Sequence, residues 1–165
     1  MFSGFSPKRK RRVSFDETYM RQAYEWAKRS TCRRRQVGAV ISKDNRFVSQ
    51  GYNGAVKGEP HCLDVGCLRE QLNIPSGERH EMCRGAHAEQ NSLMNARDRD
   101  ELIDAIMYCT TYPCSHCAKE IVQQKIKRVY YYVGYKDELS QEILDKVEVI
   151  PFSGVMPLSY PRFWG

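Results

Sequence analysis

The chain has no apolar run approaching the ~20 residues that a membrane-spanning helix needs. Behind its charged first residues there is no apolar stretch, so nothing reads as a secretory signal. It has no internal repeat. Charge of one sign is also scarce. The net charge is +6, and Lys8-Arg9-Lys10-Arg11-Arg12 supplies five of the six. The rest of the chain is therefore close to neutral, a weak electrostatic footprint for a nucleic-acid binder. Without export the setting is expected to be reducing and cytoplasmic. The seven cysteines then read as metal or structural thiols, not disulfides.

What is present suits one ordinary domain. The chain has 165 residues, 41% of them hydrophobic, enough for a packed core. Residues 1 to 13 read as a basic flexible leader and 14 to 165 as a single domain. The basic run reads as a nuclear address, a polyanion-binding arm or a solvated tail.

Ser14 and Glu17 form a capping-box pattern. Phe15, Tyr19, Ala23, Trp26 and Ala27 follow at helical spacing, which predicts a helix over 15–30. Val37 to Ile41 and Phe47 to Tyr52 read as a hairpin around Asp44-Asn45. Residues 54 to 84 hold Gly, Pro, Cys and His without steady period. So long an insertion needs something to hold it. Helix is expected from His87 to Arg97, strand from Ile106 to Tyr112, and a helix opened by Pro113. Strand over Val129 to Val133, helix over 138–146, strand over Val147 to Ile150 and an irregular tail complete the order. The fold class is α/β, a mixed sheet with helices on its faces. The helix between the last two strands lets them run parallel.

The strongest signal is His87-Ala88-Glu89 followed by Pro113-Cys114-Ser115-His116-Cys117. It is the H-x-E…P-C-x-x-C signature of zinc deaminases. Cys114 and Cys117, three apart at a helix start, face one side. The positive helix terminus favours thiolates there. Two thiolates and the His87 imidazole leave a tetrahedral zinc one open position, where it lowers the pKa of water to roughly 7. Glu89 is assigned the proton transfers, from water to N3 and to the leaving amine of a cytosine. His116 reads as a surface residue and Cys109 as a core thiol.

Six stretches resemble the deoxycytidylate (dCMP) deaminases, in the cytidine/deoxycytidylate deaminase superfamily. They are Arg29 to Cys32, Gln36 to Val40, Gly51-Tyr52-Asn53-Gly54, His61-Cys62 with Gly66-Cys67, Cys83 to Asn91, and Tyr112 to Lys119. The resemblance covers about residues 15 to 150. It implies a cytidine-deaminase-like three-layer fold with a five-stranded mixed sheet whose last two strands are parallel. It implies deamination of dCMP to dUMP, control by dCTP as activator and dTTP as inhibitor with magnesium on the triphosphate, and a homohexamer.

The resemblance places Asn53 against the bound nucleotide, where an amide offers donor and acceptor together. Gly51, Tyr52 and Gly54 match a segment linked to the regulatory nucleotide, and Ala88 and Tyr135 join the nucleotide-binding candidates. In the Arg33-Arg34-Arg35 run, Arg33 and Arg35 are the leading phosphate candidates, with Arg97 and Lys136 weaker. Some relatives carry an aromatic residue and an arginine eight and eleven places after the zinc histidine. Here those places hold Asn95 and Asp98, which leaves room for dCTP as substrate.

Cys32, Cys62, His80 and Cys83 are candidates for a second, structural zinc that fixes the insertion. Relatives use positions matching Cys32 and Cys62; His80 and Cys83 follow from spacing, and Cys67 could replace either. Two rival functions remain: a nucleic-acid deaminase, which needs a basic, aromatic-lined channel, and a zinc-stabilised binding module, which needs no Glu89.

Overall fold

The computed structural model describes residues 11–134 and 137–157. The chain enters through α1 (Phe15–Ala27), started by the expected capping box. The Ser14 Oγ accepts from the Glu17 N–H at 3.1 Å, and the Ser14 N–H donates back to the Glu17 carboxylate at 3.0 Å. The hairpin follows as β1 (Gly38–Lys43) and β2 (Arg46–Tyr52). Asp44 and Asn45 between them have φ of 50° and 59°. Two successive left-handed residues suit the twist of a tight hairpin.

The insertion is tied at its base by a two-stranded ladder. β3 (Gly54–Ala55) pairs antiparallel with β4 (Gly85–Ala86). Between them lie two one-turn helices, α2 (Cys62–Val65) and α3 (Leu68–Gln71). Then come α4 (Ala88–Met94), β5 (Ile106–Thr111), α5 (Ser115–Gln123), β6 (Arg128–Val133), α6 (Glu138–Ile143) and β7 (Glu148–Pro151).

The main sheet has the order β2-β1-β5-β6-β7. β1 runs antiparallel to both neighbours, while β5, β6 and β7 run parallel. This is the expected five-stranded mixed sheet with its last strands parallel. Alternate residues feed opposite faces, as strand geometry requires. Val40, Tyr108, Tyr130 and Tyr132 pack with Tyr19, Met20, Ala23 and Tyr24 of α1. Ile41, Met107, Val129 and Tyr131 pack with Leu93 of α4 and Ile121 of α5. Burial on both faces explains why the central strands read as continuous apolar runs.

Several element ends differ from the sequence expectation. α1 stops at Ala27, where Arg29 and Ser30 turn back three residues to the carbonyls of Trp26 and Ala27. α4 stops at Met94; Asn95 is its C-cap, and the Asn95 side chain donates to the Gln50 carbonyl at 2.8 Å. Cys114, in extended conformation, caps α5, so Pro113 lies just before the cap and not within the first turn. The helix expected over 138–146 ends at Ile143 and continues as one 3-10 turn. Pro151 ends β7, an edge strand where a missing N–H is tolerated. The expected leader falls mainly on residues 1–10, outside the described residues; Arg11 pairs with Glu17. Among the described residues no helix is long and apolar enough to cross a membrane.

One close approach sets the site. A Cβ added at Gly51 would lie 2.3 Å from the Ala88 carbonyl oxygen and 2.4 Å from the Ser92 nitrogen. Only glycine lets β2 meet the start of α4. Gly51→Ala is expected to destabilise the protein by about 1–3 kcal/mol, the usual range for overpacking. Urea unfolding measures it, and a change under about 0.5 kcal/mol would contradict this packing.

Candidate active site

Two helix starts converge beside the sheet. His87 follows β4 as the N-cap of α4, and Cys114 follows β5 as the N-cap of α5. Pro113 is fully buried, and its carbonyl accepts the Ser140 hydroxyl of α6 at 2.7 Å. The two helices are cross-linked through Gln90. Its Oε1 accepts the His87 N–H at 2.9 Å, and its Nε2 donates to Glu120 at 2.8 Å.

The His87 Nδ1 lies 3.4 Å from the Cys114 Sγ and 3.3 Å from the Cys117 Sγ. All three ligand atoms fall within 4.8 Å of one another. Zinc–sulfur and zinc–nitrogen bonds at tetrahedral angles separate N and S by about 3.6 Å. The donor set and its spacing therefore fit zinc. Among the described residues this is the one cluster of metal-ligating groups so tightly drawn.

The two thiols are shifted in opposite directions. Cys114 is held at about 3, first by the hydrogen bond from Cys117 and then by His87, against the effect of burial. Cys117, the donor in that bond and itself buried, is pushed well up. Burial acts to lower His87, but its bond to Cys114 and the nearby charges leave it raised. A cation at the centre replaces these shared protons.

Glu89, in the first turn of α4, is 3% exposed. Burial pushes its carboxyl up, partly offset by His87. Its backbone carbonyl accepts the Ser92 hydroxyl at 2.8 Å, and Ser49 of β2 donates to the Ser92 carbonyl at 2.7 Å. Cys109 is the buried core thiol expected. Burial pushes its thiol well up, and the Glu89 charge adds to that shift.

A cavity of about 270 Å³ opens over this cluster. Its walls include Asn53, Ala88 and Arg35, and on the insertion side Arg69 and His80. Asn53 clamps the backbone: its Oδ1 accepts from Val37 N–H and its Nδ2 donates to the Arg35 carbonyl, both at 2.8 Å. One proton on Nδ2 and one lone pair on Oδ1 remain for a ligand. Gly54 also lines the cavity.

Other candidates lie elsewhere. Tyr52 and Gly51 face a second hollow of about 300 Å³, where Tyr52 stacks on Trp26 at 6.2 Å. Arg33 is exposed, 3.6 Å from Glu70. Arg97 is exposed, as is His116. Tyr135 and Lys136 lie outside the described residues. Cys32, Cys62, Cys67 and Cys83 border the cavity together, and the Cys62 thiol is raised by burial and then by the other three. His80 lines the same cavity, its ring 5.2 Å from that of His87. Thr31 and Arg69, which the sequence reading did not single out, and Arg34, which it named only as part of the arginine run, all lie on the cavity wall.

Comparison with known proteins agrees with this geometry. Residues 13–133 match the family model of the cytidine and deoxycytidylate deaminase zinc-binding region. A deoxycytidylate deaminase of Schizosaccharomyces pombe is 39% identical over 75% of this chain, which spans only 38% of that protein. A deoxycytidylate deaminase of Mycobacterium phage D29 is 38% identical over 73% of this chain and 95% of its own length. The crystal structure of dCMP deaminase from cyanophage S-TIM5, in complex with dCMP and dUMP, superposes with a TM-score of 0.67. It is 25% identical, and the match covers 87% of this chain and all of that one. The chain belongs to the cytidine and deoxycytidylate deaminase family.

His87→Ala, which removes one of three ligands, is expected to lose this zinc. Metal analysis of the purified variant should show one equivalent fewer than the parent. Equal zinc in both would remove His87 from the ligand set.

Proposed function

We propose that the protein hydrolyses dCMP to dUMP and ammonia. The observation that carries this reading is the buried Glu89 carboxyl in the same first helical turn that follows the His87 ligand, at a cavity of about 270 Å³. His87, Cys114 and Cys117 would hold the zinc. When bound, the ion supplies Lewis-acid activation of a water molecule near neutral pH. Glu89 takes one proton from that water and gives it to N3 as the C4–O bond forms, then takes the second from the C4 hydroxyl and gives it to the amino group as the C4–N bond breaks and ammonia leaves. Its raised affinity for protons suits a group that must both accept and return them. Asn53 offers its remaining donor and acceptor to the nucleotide.

A nucleic-acid strand fits less well. Insertion residues Cys62, Cys67, Arg69 and His80 wall one side of the cavity, and the chain carries little net charge beyond its basic run. The reading includes residues 14–165 as one catalytic unit, homohexameric assembly, and control by dCTP and dTTP with magnesium. Family likeness supports these, and the Trp26–Tyr52 hollow beside Gly51 and Gly54 offers a surface for a second nucleotide. It keeps dCTP as an alternative substrate.

Glu89→Gln is the direct test. It is expected to keep zinc and fold while lowering ammonia release from dCMP by about 10²–10⁴-fold. A panel of cytosine nucleoside, mono- and triphosphates and an oligonucleotide, with and without dCTP and dTTP, identifies the substrate. Undiminished turnover in the variant, or an oligonucleotide preferred over dCMP, would overturn the reading.

The reading also includes a structural zinc in the insertion, now on Cys32, Cys62, Cys67 and Cys83 with His80 removed from the set. Four thiols around one cavity wall, with Cys62 raised by burial and by the other three, are the right donors, and the ion would draw them closer. The parent is then expected to hold two zinc equivalents. Cys67→Ser should lower this to one, and His80→Ala should leave two. The reverse pattern would restore the histidine.

A further inference from the structure

Ser14 lies outside the active-site cavity and close behind the basic run. It stands in the order Arg11-Arg12-Val13-Ser14-Phe15, with arginines three and two places before the hydroxyl and an aromatic residue after it. Protein kinases choose their substrates by such charge patterns. A peptide groove lined with carboxylates pairs with arginines through forked, charge-assisted bonds and selects this order. Three serine or threonine hydroxyls of the chain have a lysine or arginine three places earlier: Ser14, Thr31 after Lys28, and Ser49 after Arg46. The fold leaves one of them open. The Thr31 hydroxyl oxygen is buried. Ser49 is 2% exposed within β2 and donates to the Ser92 carbonyl. Ser14 is exposed, and residues 11–14 belong to no helix or strand. Its Oγ accepts from the Glu17 N–H, which leaves the hydroxyl proton available.

Added charge at Ser14 would act on a clasp. The Glu17 side chain is 3% exposed and joins both ends of the described chain. Its Oε1 accepts the Arg11 guanidinium and, at 2.8 Å, the Val155 N–H, while its Oε2 accepts the Ser14 N–H at 3.0 Å. Arg21, one turn along α1, donates to the Val155 carbonyl at 2.8 Å. Arg11 first, then the Ser14 and Val155 N–H groups, hold the Glu17 carboxyl at about 2. At neutral pH it is therefore an anion whose counter-charge is Arg11.

We propose that Ser14 is a phosphorylation site for a kinase that selects arginine-rich segments, and that its phosphate opens the clasp Glu17 makes between Arg11 and Val155. In the transfer, the Ser14 Oγ attacks the γ-phosphorus of ATP. An O–P bond forms, the bond to the β-phosphate oxygen breaks, the hydroxyl proton passes to the kinase's base, and ADP leaves. The product carries about −1.5 to −2 charge beside Glu17. Its three oxygens offer the Arg11 fork a better partner than the one carboxylate oxygen it now holds. Like charge then pushes the Glu17 carboxylate, stripped of its guanidinium, from the cap, and the Val155 N–H loses its acceptor.

The test treats the folded full chain with ATP and, as probe, a purified kinase selective for arginine two and three places before its serine. Peptide mass mapping should find one phosphate per chain, on Ser14. Arg11→Gln and Arg12→Gln should each slow the transfer by at least about tenfold, the loss of one hydrogen bond to a charged group. Ser14→Asn, which keeps a good N-cap, should stay folded and take no phosphate. Hydrogen exchange then reads the clasp. The Val155 amide should exchange about tenfold faster in the phosphoprotein than in the unmodified chain, while the amides of β1 and β5 keep their protection. No phosphate on the folded parent, a phosphate placed mainly on another residue, or unchanged exchange at Val155 overturns the proposal. Loss of protection across the whole sheet overturns it too, since that is unfolding and not an opened clasp.

Discussion

The structure depends on holding one imidazole nitrogen between two sulfurs. A metal site tolerates errors of only about 0.2 Å in its ligand distances, so its donors must come from parts that do not move independently. The fold meets this with two capped helix starts that share a cross-link. α5 leaves β5, the central strand, through buried Pro113, which α6 holds from behind. α4 is pressed onto β2 where Gly51 removes a side chain, and Gln90 spans from the His87 backbone to Glu120 of α5. Glu89 occupies the first turn of α4, so whatever positions His87 positions the carboxyl as well.

The cavity is built on a different plan. One side is scaffold: Asn53, Ala88 and the helix starts. The other is the insertion, whose only backbone ladder is the short β3–β4 pair at its base. Sites on regular elements are held more accurately than sites on loops. Chemistry therefore sits on the rigid side, and groups suited to recognising the rest of a nucleotide sit on the adaptable side. The four neighbouring cysteines belong to this economy. Cys32 lies two residues before Arg34 and Cys67 two residues before Arg69, so any bond that ties the thiols also tethers the backbone near both arginines.

This division explains what the sequence disclosed. The metal cluster was legible because its signature is local: two short motifs, each at a strand-to-helix junction where helical spacing puts the ligands on one side. The sheet was legible because Val37–Ile41, Ile106–Tyr112 and Val129–Val133 are apolar runs separated by helical periods, and a helix before β7 permits a parallel crossover. The helix ends were less legible, since Asn95 abandons α4 for a contact with Gln50 that no local pattern encodes. The insertion was least legible. It has no period, so nothing in the order of residues distinguished Arg34 from Arg33, or Cys67 from His80 as the companion of the thiols. Which of three successive arginines reach the cavity is decided by tertiary contact: Arg34 and Arg35 line it, Arg33 faces Glu70 instead, and the Asn53 clamp fixes the backbone at Arg35.

Arg69 shows why such a residue persists. In the ligand-free protein its buried guanidinium is a liability, because one carbonyl cannot replace the hydration it has lost. An apolar side chain of similar size would pack there without that penalty. Its retained charge leaves an unmet demand for an anion at the cavity wall, in the same cavity that holds Glu89 and the His87 cluster.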